Sequence, residues 1–126
     1  MRFKRINFTG DMVYQYRELG PGESGRVYRL KVPSGFLAAI QKVANRYYAT
    51  QGAGIYYRWT IDGVQVEDKI ERRIGNFYSP TEFDPPLWAK SEVEFYGYNP
   101  TVATYILEVQ LYGYFLEVPK EEAVVG

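Results

Sequence analysis

The stretch TYILEVQLYGYFLEV, from Thr104 to Val118, decides the fold class. Tyr105, Leu107, Val109, Leu111, Gly113 and Phe115 fall on one side of a two-residue repeat, and Glu108, Gln110, Tyr112 and Tyr114 fall on the other. Side chains of an extended strand alternate between faces, so this spacing makes one apolar face and one polar, tyrosine-rich face. Wound into a helix, the same residues would scatter round the circumference.

Outward from this run the pattern recurs. Ser91 to Asn99 sets Val93, Phe95 and Gly97 against Glu92, Glu94 and Tyr96, and Asn99-Pro100 ends it. Ile55 to Ile61 opposes Tyr57, Trp59 and Ile61 to Tyr56, Arg58 and Thr60, then runs into Asp62-Gly63. A strand that ends in Asp-Gly is a hairpin signal, and Val64 and Val66 open the return strand. Arg26 to Val32 places Tyr28, Leu30 and Val32 opposite Val27, Arg29 and Lys31, and Pro33-Ser34-Gly35 stops it. Ile74 to Tyr78 reads as a further short strand. Ser79-Pro80 and Asp84-Pro85-Pro86 mark a long loop that carries Phe83, Leu87 and Trp88. These strands define an all-β chain.

Phe36 to Thr50 carries two patterns at once. Phe36, Ala39, Ile40, Val43 and Tyr47 recur at helical spacing, with Ser34 as N-cap and Gly52 as stop. A strand with a bulge near Gln41-Lys42 would instead turn Phe36, Ala38, Ile40 and Val43 inward. The tyrosine-rich end and the resemblance described below favour the strand.

At 126 residues the chain supports one core. Residues 1 to 25 read as an N-terminal arm or peripheral strand ending in a Gly/Pro breaker run, 26 to 119 as the sandwich, and 120 to 126 as a tail that frays. Lys plus Arg and Asp plus Glu are 15 each, so no net field favours a nucleic acid or an anionic membrane. His and Cys are both zero, which removes the usual zinc, haem, Ser-His, Cys-His and disulfide chemistries. No apolar stretch approaches the roughly 20 residues of a membrane span. The start, MRFKRINFTGD, has a basic head with no apolar region behind it, so export by a signal peptide is not expected.

The order V-x-x-G-F-L-A-A-I-Q-K-V-A (32–44), W-T-I-D-G-V (59–64), I-G-N-F-x-x-P (74–80), P-P-L-W-A-K-S-E-V (85–93), Y-N-P (98–100) and G-Y-F-L-E-V (113–118) resembles the small jelly-roll or β-sandwich structural proteins of tailed bacteriophages and related viruses. The resemblance covers about Arg26 to Val118. It implies a single jelly-roll-like antiparallel β-sandwich with an extended N-terminal arm. It also implies a place on the virion, assembled in the host cytoplasm, as a capsid decoration or accessory coat subunit.

Paired carboxylates can hydrolyse glycosides without His, Cys or metal, and Glu67 with Asp68, Glu82 with Asp84, and Glu92 with Glu94 are the available clusters. Such spacing arises in any strand with a solvated face, so no catalytic residue is expected. A calcium cage from Asp62, Glu67 and Asp68 lacks an EF-hand-like ligand series, and a solvated hairpin tip is the simpler reading; no metal or cofactor is expected. Lys69 to Arg73 reads as a solvated strand or loop rather than a phosphate site.

The 13 tyrosines are more informative, because a pair of sheets has only one inner face each. Tyr56, Tyr96, Tyr112 and Tyr114 fall opposite the expected core, and Trp88 lies in the Pro-rich stretch. Outward aromatics offer large contact area at low entropic cost. They suit a homo-oligomer or viral coat interface, a sugar platform at a phage tail's host-recognition tip through Trp88, Tyr96 or Tyr112, or cover by loops of the same chain. In the arm, Phe3, Ile6 and Phe8 either form the first strand of the sandwich or add to a neighbour's sheet edge, with Arg2, Lys4 and Arg5 meeting acidic surface there.

Overall fold

The Asp62-Gly63 turn is the tip of one long antiparallel ribbon. The structure is a computed structural model and describes residues 4–47, 55–66, 75–76 and 79–118. The strands are β1 (Arg5–Asn7), β2 (Tyr14–Leu19), β3 (Ser24–Lys31), β4 (Phe36–Tyr47), β5 (Tyr56–Ile61), β6 (Val64–Gln65), β7 (Gly75–Asn76), β8 (Ser79–Ala89), β9 (Glu92–Tyr98) and β10 (Tyr105–Glu117). A 3-10 turn over Gly10–Met12 separates the first two. Pairing is nested about the tip: β5 with β6, then β4 with β8, β3 with β9, and β2 with β10. Rolling the ribbon adds the lateral pairs β10 with β4 and β9 with β5. Two antiparallel sheets result, ordered β1-β10-β4-β8-β7, with β2 also on β10, and β3-β9-β5-β6. They pack as a sandwich whose strand order is compatible with a jelly roll.

Phe36–Tyr47 is a strand, and its register with β10 and β8 shifts at Gln41. That bulge reconciles the two patterns in the sequence: it adds one residue to a two-residue repeat, so Ile40 and Val43 both reach the core. A second bulge at Val27 in β3 turns Val27 and Tyr28 inward together, where strict alternation separates them. The expected loop over residues 79 to 89 is instead β8. Its Thr81 and Glu82 pair with Val43 and Lys42, and its Leu87 to Ala89 pair with Ile40 to Ala38. Phe83 to Pro86 fall between these two paired stretches, where prolines without a backbone donor are tolerated.

The core forms where these inner faces meet. Trp59 stacks on Phe95 at 4.9 Å and 15°, and Tyr28 meets the other side of this group edge-on at 5.7 Å from Phe95. Leu107, Val109, Leu111, Ile40, Val43 and Val93 are fully buried around them. Each such side chain contributes about 1.5–3 kcal/mol on burial. The Tyr28 hydroxyl donates to the Met12 carbonyl, and burial pushes its ionisation far above the ordinary phenol range.

Buried polar groups tie the ends of the sandwich together. Asn99, fully buried, donates to the Leu19 and Ala103 carbonyls at 3.0 and 2.7 Å and accepts from Thr101 N–H at 3.0 Å. The side-chain amide of Gln15 lies against β3, where its Nε2 donates to the Arg29 carbonyl at 2.9 Å and its Oε1 accepts from the Arg29 N–H at 3.0 Å. Arg17 adds a bond to the Arg26 carbonyl at 3.2 Å.

Two local features yield predictions. Opposite the β4 bulge the backbones approach so closely that a Cβ on Gly113 would lie 1.9 Å from the Ala39 carbonyl oxygen. Gly113→Ala is therefore expected to lower stability by about 1–3 kcal/mol in a denaturant titration. Gly20→Ala, whose Cβ would meet nothing nearer than 3.9 Å, should shift the midpoint little.

At the ribbon tip, Asp62 and Gly63 both have left-handed φ values, 53° and 82°, as a two-residue hairpin turn of this hand requires. The Asp62 carboxylate accepts from the backbone N–H groups of Lys90, Ser91 and Glu92 at 2.7–3.1 Å and from the Ser91 hydroxyl at 2.8 Å. Partial burial raises its ionisation, but these four donors outweigh it and hold the carboxyl below its ordinary value of 3.8. A depressed folded value means the stabilisation is complete above the unfolded value and disappears as pH falls through the folded one. Asp62→Asn keeps the turn and one acceptor; acid titrations of stability should show its loss below pH 3.8 reduced relative to the parent, by about 1 kcal/mol or less at this exposed site.

Candidate docking surfaces

Strand alternation leaves an outer face on each sheet, and the register decides which side chains meet there. On the β10 sheet, Ala39 has Tyr114 beside it on one side and Trp88 on the other. The two rings meet edge-to-face at 6.3 Å and 89°, and Ala39 is completely covered. The Arg5 guanidinium sits 3.6 Å from the centre of the Tyr114 ring, contributed by β1 on the far side of β10. Trp88 remains 43% exposed and Tyr112, one repeat along from Tyr114, 36%. Lys42 and Glu82 form an exposed ion pair at 3.5 Å beside Tyr112. Toward the opposite end of this face Glu108 is buried and accepts from the Tyr14 hydroxyl and from Arg46 Nε.

On the β9 sheet the outer residues line up in rows across three strands. Ser24, Tyr98 and Tyr56 form one row, and Arg26, Tyr96 and Arg58 the next. The Tyr56 and Tyr98 rings are near parallel, 5.9 Å apart at 18°, and the Arg58 guanidinium lies 5.1 Å from the Tyr96 ring centre. Two ion pairs continue the face: Arg26 with Glu94 at 3.1 Å and Arg29 with Glu92 at 3.0 Å. Desolvation raises the Glu94 carboxyl, but hydrogen bonds from Arg26 and the Tyr96 hydroxyl bring it below its ordinary value. Desolvation, with the bond to Glu94, pushes the Tyr96 phenol up. Ser24, Tyr56, Arg58, Gln65, Tyr96 and Tyr98 line a groove of about 420 Å³ here.

The residues singled out in the sequence therefore separate into two groups on opposite sheets. Trp88, Tyr112 and Tyr114 share the β10 face; Tyr56 and Tyr96 share the β9 face. The arm divides. Ile6 pairs with Phe115 and stays 38% exposed, whereas Phe8 enters the core edge-to-face with Phe115 at 4.9 Å. Phe8 is thus unavailable for docking in this arrangement, because β1 adds to the sheet of its own chain. Phe3, Glu67, Asp68, Lys69 to Arg73 and the tail from residue 120 lie outside the described residues. Sequence reasoning did not single out Tyr98 or Arg58 as site residues, and it directed Arg5 to a neighbour's acidic surface rather than to Tyr114. Tyr98 continues the Tyr96 alternation by one repeat but stands against the Asn99-Pro100 stop, and the pairing of Arg5 with Tyr114 depends on long-range register.

Glu92 and Glu94 each serve an arginine, and the Glu94 carboxyl is lowered where a general acid needs it raised. Among the described residues no group of three or more acidic side chains is arranged to hold a metal ion, and no helix is long and apolar enough to cross a membrane. No family model matches the chain, and a search of curated proteins finds no match.

The two tryptophans have opposite environments, with Trp59 1% and Trp88 43% exposed. Acrylamide is expected to quench a Trp88-dominated fraction of the emission. Trp88→Phe should leave a blue-shifted, nearly unquenchable signal from Trp59 without loss of the folded baseline.

Proposed function

We propose that this chain is a non-enzymatic structural subunit of a virus particle, a capsid decoration or accessory coat protein that binds neighbouring coat subunits. The observation that carries the reading is the aromatic cluster on the outer face of the β10 sheet, where Trp88 and Tyr112 are exposed beside the half-buried Tyr114. Aromatic anchors with a capping arginine, here Arg5 over Tyr114, are the side chains that dominate protein interfaces. The near-neutral charge and the resemblance of the motif order to phage structural proteins support the same reading. A carbohydrate-binding module at a phage tail is the second reading, favoured by the concave tyrosine groove on the β9 sheet.

The test is assembly. In light scattering at high concentration, or in co-sedimentation with shells of its cognate coat protein, the parent chain is expected to associate. The Trp88→Ser, Tyr112→Ser double variant is expected to lose at least roughly tenfold in affinity, the scale of truncating interface anchors. A parent chain that stays monomeric and fails to bind the shells would refute the proposal.

A further inference from the structure

The groove on the β9 sheet has a chemistry distinct from the opposite face. Its floor is aromatic, with the Tyr56 and Tyr98 rings near parallel and Tyr98 42% exposed. Beside them Arg58 is exposed and leans on Tyr96, and among the described residues no carboxylate lies within ion-pair distance of it. Across the whole outer face Arg26, Arg29, Lys31 and Arg58 stand against Glu92 and Glu94, four positive charges against two negative. Glu94 and Glu92 are already engaged by Arg26 and Arg29, which leaves Lys31 at one end of the face and Arg58, among the tyrosines, at the other.

We propose that this groove binds an acidic sugar of a polysaccharide, a uronic or sialic acid residue. Its carboxylate pairs with the Arg58 guanidinium and its ring lies against Tyr98 and Tyr56. A volume of about 420 Å³ suits a small ligand rather than a flat protein partner, whose clefts and interfaces differ in this respect. Planar guanidinium matches a carboxylate in a two-pronged pair, and tyrosine rings offer apolar faces with a hydroxyl that tolerates water. The charge also separates the sugar from a nucleic acid strand: tracking a phosphate backbone takes several free cations in a row, whereas among the described residues of this face the two without a carboxylate, Lys31 and Arg58, stand on different strands two rows apart. The inference deepens the carbohydrate reading by naming the sugar class and the residues. It is independent of coat docking through Trp88, which lies on the other sheet.

Calorimetric titration of the full chain with the tetramer of galacturonic acid, and separately with sialyllactose, tests it. Saturable binding is expected for at least one acid. Arg58→Gln, an exposed position, and methyl esterification of the galacturonate tetramer should each weaken binding roughly tenfold, the scale of a charge-assisted pair. Tyr98→Ala should weaken it as well. Tyr16→Ala, which removes a 62% exposed tyrosine from the opposite sheet, should change nothing. Equal binding of the acid and its methyl ester would overturn the acidic-sugar proposal while leaving a carbohydrate role standing. Absence of binding to every sugar would overturn both. Displacement of the sugar by an oligothymidylate of similar charge would assign the groove to single-stranded nucleic acid instead.

Discussion

Everything in this sandwich is organised around β10 being paired on both sides. It carries β4 along one edge from Leu107 to Glu117 and, on the other, β2 at its beginning and β1 at its end. A strand so placed must bury one face, and Leu107, Val109, Leu111 and Phe115 at alternate positions do this. The same geometry dictates that Gln110, Tyr112 and Tyr114 look away from the core. Because β4 must follow β10 closely, Gly113 is set where Ala39 passes, and the bulge at Gln41 takes up the mismatch in length. Shifting β10 by one residue would exchange core and surface over half of the molecule.

Most of the strands were legible because each is long enough to display a two-residue repeat. The Asp62-Gly63 tip was legible because its residues meet the demand for left-handed backbone directly. What stayed hidden depends on contacts distant in sequence. Prolines 85 and 86 look like loop residues until β4 is seen to skip them. Val27 looks outward until a bulge turns it in. Phe8 could belong to the chain's own core or to a neighbour's edge, and the choice rests on whether β1 finds β10, which no local pattern encodes.

The candidate surfaces were legible only as membership of a face. Alternation showed that Tyr96, Tyr112 and Tyr114 point outward, and it could not show that Trp88 would meet Tyr114 or that Arg5 would cover it. Those associations arise from the register of β10 against β1 and of β4 against β8, both closed over long loops in sequence. The β9 groove has the same origin: Tyr56, Tyr96, Tyr98 and Arg58 come from two strands more than thirty residues apart, brought together by the pairing of β5 with β9.

The amide of Gln15, which satisfies both backbone groups of Arg29, acts as a strand one residue long. With that border occupied, and Arg17 holding the next carbonyl, further copies are denied a ladder on which to extend the sheet there. Main-chain addition is hindered where Arg26 and Arg29 are engaged, so a partner approaching there meets side chains first. Partners chosen by side chains can be discriminated from one another and released.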